Sequence, residues 1–584
     1  MRLNLLTDAW LPVLLRSGAK AWVSLPGLVA RVPAPSGSAP DYAVDFAWGR
    51  PDLDMACHEL CIGLLQICLD VRDEDDWFAL WRGAMTGPEF AERLQPLAFA
   101  FELTGDGPRF LQDPEPFEAG VAAAAQSDVE ALFIDTPGQN GQKKNADVLT
   151  HRGRYPALGL PAAAMALYAL QAFAPAGGAG IRTSLRGGGP LSVLVIPQAR
   201  PGSAPVPLWR RLLANVTPEP HRLKAARLAS ALPWLAPVSQ KGGTSVGADS
   251  KDATGGKIHP DPAEGAHPLQ AFFGMPRRIR LVPGPAAGRC ALTGCEGPVV
   301  TGFVQKPHGL DYGLWQHPLT PYRRLKKDGE PYTVKPKSGR FGYRDWVSVA
   351  LSSEEGVLAD MPRTVAQARK ARAAALLTSG RDPLLRVGGW AMNNMEAMAF
   401  LSAEQPMHLA GTEDQARRLT QFARSLAAAG GEAASALREA VRMTVLGEAS
   451  KADGDKGVFA QAQSAFFAAT EAPFHDITAR ALLLPAEATP DDMAPLRQSW
   501  LRTIQRTALA QFDFHAPLPL ADPQRAKRLV KARNNLLKVF LGYDPAGNRL
   551  YEALGLPKPE PKVKPSASGK TRKQAKALGE GELA

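Results

Sequence analysis

Hydrophobic and polar positions fall into two regimes along this chain. Up to about residue 400, short apolar runs alternate with glycine- and proline-rich breaks; beyond it, apolar residues recur with a helical period. In the first regime, residues 3–6, 10–15 and 21–25 read as strands of a small β region. Residues 54–69 (DMACHELCIGLLQICL) are apolar around most of their circumference and predict a buried helix. Cys57, Cys61 and Cys68 fall inside it and read as core residues rather than metal ligands. Residues 75–97 predict another helix, 132–134 a short strand and 161–173 an alanine-rich helix. Residues 191–196 (LSVLVI) predict a buried strand, and 277–282 (RRIRLV) a basic one. In the second regime, residues 412–429 open with a capping box, Thr412 and Gln415, and carry an apolar face of Leu419, Phe422, Ala423 and Leu426. Gly430 and Gly431 are expected to end that helix. Further helices are predicted over 433–446, over 460–484 with a kink at Pro473, from 489 through Leu496, Trp500, Ile504 and Ala508, and over 523–541. Antiparallel amphipathic helices with short links form a bundle.

Composition narrows the class. At 584 residues the chain predicts more than one domain. The formal net charge is +11, which fits a polyanionic partner such as nucleic acid. Residues 557–584 read as a disordered basic tail that holds part of this excess. Five cysteines in so long a chain do not make a disulfide framework. The first residues show no apolar signal segment, and no window of about 18 apolar residues suggests a membrane span. A cytoplasmic protein is expected.

The candidate chemistry centres on residues 177–190 (GGAGIRTSLRGGGP). Glycine lets backbone amides approach another surface closely, and Arg182 and Arg186 are candidate phosphate contacts. A plain glycine-rich turn beside a strand remains the alternative. Residues 131–154 form a long basic loop with Lys143 and Lys144, also candidate phosphate contacts. Residues 301–324 interleave aromatics with Lys306, His308 and His317, the mixture that nucleic-acid grooves use; a β-hairpin with an aromatic core face is the other reading. Residues 386–399 read as a loop broken at Gly388 and Gly389, with Asn393, Asn394 and Met395 before or at a helix start. Residues 240–265 are polar and glycine-rich and read as a mobile loop.

Enzyme motifs are sparse. SGKT at 568–571 lacks the upstream glycine of a phosphate loop, since residue 564 is lysine. The adjacent His475 and Asp476 motivate one alternative, a stand-alone metal-dependent nuclease. Cys290 and Cys295 in RCALTGC supply half of a zinc site, whereas a structural site needs four ligands. No HExxH or GxSxG occurs. No catalytic residue and no cofactor are assigned.

Taken in order, several stretches resemble the large-subunit (CasA) family of type I-E CRISPR Cascade complexes. They are residues 4–13 (NLLTDAWLPV), 132–139 (LFIDTPGQ), 181–190 (IRTSLRGGGP), 273–281 (FGMPRRIRL), 301–324 and 388–396 (GGWAMNNME). The resemblance implies an α+β chain: a mixed α/β N-terminal domain, placed at residues 1–395, and a four-helix bundle within 400–550. It implies a non-enzymatic subunit that reads the short PAM duplex beside a target. It also implies help in opening that DNA for guide-RNA pairing and recruitment of a helicase-nuclease. A glycine loop (Gly177, Gly178, Ala179, Gly180), a lysine finger (Lys306) and a wedge (Asn393, Asn394, Met395) would face the PAM. Phe133, Ile134 and Asp135 would engage the guide RNA 5′ handle and a neighbouring subunit. A purely structural ribonucleoprotein scaffold is a further alternative. Met395 stands where the family's best-studied wedge has glutamine, Ala179 replaces a loop glycine, and only two of the cysteines that bind zinc in some members are present.

Overall fold

A computed structural model describes residues 2–30, 40–83, 85–118, 121–122, 125–145, 147, 151–178, 180–237, 257–263, 265–313, 315–326, 329–337, 339–351, 359–378, 380–446, 457–485, 487–516 and 522–559. Residues 238–256, most of the expected mobile loop, the tail from residue 560, and Ala179 lie outside them. The chain divides into two compact units. One comprises residues 1–427 with 467–489; the other comprises 428–466 with 490 onward.

The first unit is built around α1 (Pro51–Leu69), which is buried along nearly its whole length, Cys57 and Cys61 included. A helix apolar on all sides belongs in the centre of a domain. Before it, β1 (Leu11–Leu15) pairs antiparallel with β2 (Lys20–Val23) and β3 (Ala43–Phe46). Residues 3–6 form no strand; Asn4 alone bridges to Glu102. The predicted helix over 75–97 is two, α2 (Glu74–Arg82) and α3 (Gly87–Leu94). Gly83 ends the first, and a Thr86–Glu89 capping box starts the second. The residue 132–134 strand is also absent; Val129–Leu132 is a short 3₁₀ turn.

Three pairs of elements carry the region of interest. The helix α4 (Leu160–Phe173) packs against α1 and leads into the glycine segment, which feeds β4 (Ser192–Ala199), a strand whose first six residues are buried. The strand β5 (Arg278–Pro283) pairs antiparallel with β6 (Val299–Lys306). Long strands β7 (Gly380–Asn393) and β8 (Glu396–Pro406) form a hairpin, and β7 also pairs with β4. Gly388 and Gly389 therefore do not break the chain, and no helix starts at Asn393. Gly389 sits in mid-strand because fixed backbone comes too close for a side chain, whereas at Gly388 the nearest obstacle is the movable end of Met55. A Cβ on Gly389 would lie 2.7 Å from the Pro190 carbonyl oxygen, and one on Gly388 2.7 Å from Met55 Cε. Residues 395 and 400, taken from the sequence as the edges of two domains, both lie in this hairpin.

The C-terminal region is helical. α5 (Glu413–Leu446), α6 (Val458–Leu482), α7 (Ala494–His515) and α8 (Pro523–Phe540) are its four long helices, followed by α9 (Pro545–Leu554). Two predicted helices are thus one: α5 runs through Gly430 and Gly431. Helix α6 likewise continues through Pro473. The division between the two units falls inside α5 and α6. In the second unit, buried stripes of Leu437 and Val441, of Trp500, Ile504 and Phe512, and of Leu536 and Phe540 make the core. An Arg533–Asp513 ion pair at 2.9 Å links α8 to α7.

Candidate nucleic-acid interface

The glycine segment leaves α4 at Phe173 and closes a small loop at once. The Gly177 amide donates to the Ile181 carbonyl, and the Ile181 amide to the Gly178 carbonyl, both at 3.1 Å. Gly178 (φ 102°) and Gly180 (φ 75°) take left-handed conformations that a side chain disfavours. Gly178 faces open space, whereas a Cβ on Gly180 would lie 2.6 Å from Pro307 Cβ. The His308 amide donates to the Gly180 carbonyl at 2.8 Å. The loop is thereby held against the end of β6, where Lys306 is the last residue. Its other end is pinned equally closely. Gly189 (φ 63°) donates to the Phe173 carbonyl at 2.9 Å, and a Cβ there would overlap the Trp390 carbonyl at the base of the β7–β8 hairpin. One segment thus touches both the lysine strand and the hairpin.

The hairpin runs on beyond the third strand of its sheet, with Met392 and Ala397 still packed against the core. Strand β7 pairs with β4 up to Gly388↔Ser192; beyond that, among the described residues, β7 and β8 pair only with each other, up to Asn393↔Glu396. The tip is the two-residue turn Asn394–Met395. Asn394 takes φ 54°, which asparagine tolerates better than most residues. Met395 is 61% exposed and Met398 57%. An exposed apolar tip on a two-stranded ribbon has the shape of a wedge.

The cations differ in availability. Lys306 Nζ sits 2.8 Å from Glu115 Oε1 and 4.5 Å from the Phe117 ring centroid, with its side chain 38% exposed. This ammonium is the largest influence holding the Glu115 carboxyl below its ordinary value. Arg182 is paired with Asp311 at 2.7 Å. Arg186 is a correction to the phosphate-contacting set. It is buried, with Nη2 2.5 Å from Glu59 Oε1 and Nη1 donating to Ser192 Oγ and Thr320 Oγ1. It braces the segment from inside and does not face an outside phosphate. Beneath the loop, Arg277 donates to the Pro175 carbonyl at 2.5 Å, and burial pushes its guanidinium down to about 10. Lys143 and Lys144 are exposed, at the end of the short helix Gln139–Lys143 and just beyond it. One residue missed in the sequence is Lys335, which is exposed, with Nζ 3.7 Å from where a Gly187 Cβ would stand. The only signal for it was its place among the basic residues that follow Arg323.

Other candidates are placed differently. Phe133 is buried against Tyr155, with the Arg50 guanidinium 4.6 Å from its ring centroid, while Asp135 pairs with Arg50 at 2.9 Å and Ile134 is half-buried. Cys290 is buried and Cys295 exposed, at the end of a two-residue hairpin pairing. Among the described residues no group of three or more His, Cys, Asp and Glu side chains is arranged to hold a metal ion. His475 and Asp476 do not form a joint site. His475 is buried, 3.0 Å from His408 Nε2 and 2.7 Å from Gln405 Oε1, whereas the Asp476 side chain is 68% exposed toward Arg480.

Solved structures share this architecture. Cse1 from Acidimicrobium ferrooxidans superposes with a TM-score of 0.63 at 16% identity, covering 95% of this chain and 99% of that one. Cse1 from Thermobifida fusca gives 0.62 at 18%, covering 95% and 98%, and CasA from Thermus thermophilus gives 0.62 at 16%, covering 94% and 100%. A chain from a CRISPR RNA-guided surveillance complex gives 0.62 at 16%, covering 92% and 99%. At these identities the likeness is one of fold. The sequence itself is decisive: residues 4–511 match the CRISPR-associated protein Cse1 family, and the chain belongs to that family.

Proposed function

We propose that this chain is the non-enzymatic large subunit of a type I-E RNA-guided surveillance complex, and that it reads the PAM in double-stranded target DNA. One observation carries the reading. The glycine segment is pinned at Gly180 to the end of Lys306's strand and at Gly189 to the base of the hairpin that bears Met395. Three stretches far apart in sequence are thereby tied to one another, and the reading takes their exposed parts as one duplex-facing surface. The minor groove presents a degenerate pattern of acceptors. One lysine and a few backbone amides suit such a groove and tolerate several related motifs. Met395 at the ribbon tip would unstack a base step, as inserted apolar side chains do in other minor-groove binders. Lys143, Lys144 and Lys335, with Arg182, would contact phosphates, which position the duplex without specifying sequence. Sequence choice then falls to guide pairing. The other subunits and the guide RNA 5′ handle are the partners, with Ile134 and Asp135 at that contact and the buried Phe133 anchoring them from within, and the helicase-nuclease is recruited afterwards.

The test uses the assembled ribonucleoprotein and a duplex whose target matches the guide, with its flank selected from a randomised library. Lys306→Ala should weaken binding of the selected duplex by about 1–3 kcal/mol, and leave binding of unselected flanks nearly unchanged. Equal affinity of mutant and parent for the selected flank would refute the assignment. Affinity that ignores the flank altogether would leave only a scaffold role.

A further inference from the structure

Lys306 is held rather than free, and the group that holds it is built with care. We propose that Glu115 is a latch that parks the Lys306 ammonium and so sets the affinity of this surface for duplex DNA. The proposal rests on the reading of Lys306 as the duplex-contacting cation.

Lys306 on β6 stands directly opposite Arg278 on β5. Like charges facing each other across two strands repel. Glu115 relieves this by bridging them: Oε1 accepts from Lys306 Nζ at 2.8 Å, and Oε2 accepts from Arg278 Nη2 at 2.6 Å. The Phe117 ring, 4.5 Å from Nζ, adds a second attraction for the same ammonium. The latch is also preorganised. Pro114 and Pro116 flank Glu115 and fix φ at their own positions. The Glu115 amide donates to Asp113 Oδ1 and the Phe117 amide to the Glu115 carbonyl, both at 2.9 Å.

The arrangement is poised to open. When Lys306 leaves, Glu115 keeps Arg278, and Arg278 keeps Asp113, to which its Nε donates at 2.5 Å. No carboxylate is stranded. Lys306 gives up one exposed ion pair and one ring, which is a modest attraction in water. A binding-competent state that is only fractionally populated lowers apparent affinity by that fraction. The latch therefore weakens duplex binding by a small factor, and a groove that offers Lys306 better partners overcomes it.

Four complexes test this: the parent, Glu115→Gln, Lys306→Ala and the double variant, each titrated with the selected-flank duplex. Glutamine retains an acceptor for Arg278 but not the charge that holds Lys306. Glu115→Gln alone should bind about two- to fivefold more tightly. In the Lys306→Ala background the same change should have no effect. No gain in the parent background overturns the latch. An equal gain in both backgrounds also overturns it, because removal of one negative charge near DNA would then explain everything. Unchanged binding by Lys306→Ala alone would instead remove the reading of Lys306 itself.

Discussion

Two cations of the glycine-segment neighbourhood, Arg186 and Lys306, show how burial sorts residues of the same charge. Arg186 is 4% exposed, and its partner Glu59 is 1% exposed. Burial, the largest influence on Glu59, pushes its carboxyl above the ordinary value even with Arg186 and Ser192 beside it. Removing one member of such a pair leaves an uncompensated buried charge. Arg186→Met should therefore destabilise the fold by about 3–5 kcal/mol in chemical denaturation, and a second change, Glu59→Met, should restore much of it. An unchanged midpoint for Arg186→Met would refute the bracing role. The sequence shows two arginines four positions apart on a glycine-rich stretch. It cannot show that one points inward, because the partner lies on α1, 127 residues away.

Glycines decide the outcome at the scale of elements, and they do so in opposite senses. Gly389 is packed between strands, whereas Gly431 in α5 has open space where a Cβ would stand. Gly389→Ala should destabilise by about 1–3 kcal/mol through overpacking, and Gly431→Ala should stabilise by about 0.5–1 kcal/mol through helix propensity. Thermal unfolding of the two variants checks both signs; a stabilising Gly389→Ala would mean that the Pro190–Leu191 backbone leaves room for a side chain beside β7. These same glycines mark what was legible. The buried helix α1, strands β1, β2, β4 and β5 and most of the C-terminal helices follow from periodicity alone. The β7–β8 hairpin does not, because Gly388 and Gly389 look like breaks until Met55 and the Pro190 carbonyl are brought beside them. Nor does the continuity of α5. Burial of Ala429, Ala433, Ala434 and Leu437 outweighs the propensity cost of two glycines, a balance set by tertiary packing. At the candidate interface, the residue types and the order of motifs were visible. Their convergence was not, since it depends on where β6 and the hairpin end.

Over the whole first unit, stability should depend on pH through buried groups that pull in opposite directions. Burial holds the His58 ring down to about 4 and the His408 ring down to about 3. Both are neutral in the fold and take up a proton on unfolding near their ordinary value. The stability they contribute is full above about pH 6.5 and is lost as pH falls toward those folded values. Asp54 runs the other way. Burial pushes its carboxyl up to about 6, so the fold binds this proton before the unfolded chain does, and stability rises as pH falls from 6 toward the ordinary carboxylate range. Across that interval Asp54 offsets one of the two histidines. Asp54→Asn keeps the acceptor for the Trp48 amide, which donates to Asp54 Oδ1 at 2.9 Å, but abolishes the compensating proton. The variant should lose stability on acidification more steeply than the parent, by about 1.4 kcal/mol per pH unit at most. Denaturation followed at several pH values between about 4 and 6.5 measures the difference directly. The other titrating groups are common to both proteins, and of these Asp45 and Asp52 lie close enough to feel the Asp54 charge. Parallel profiles would mean that the Asp54 carboxyl titrates alike in the folded and unfolded chains.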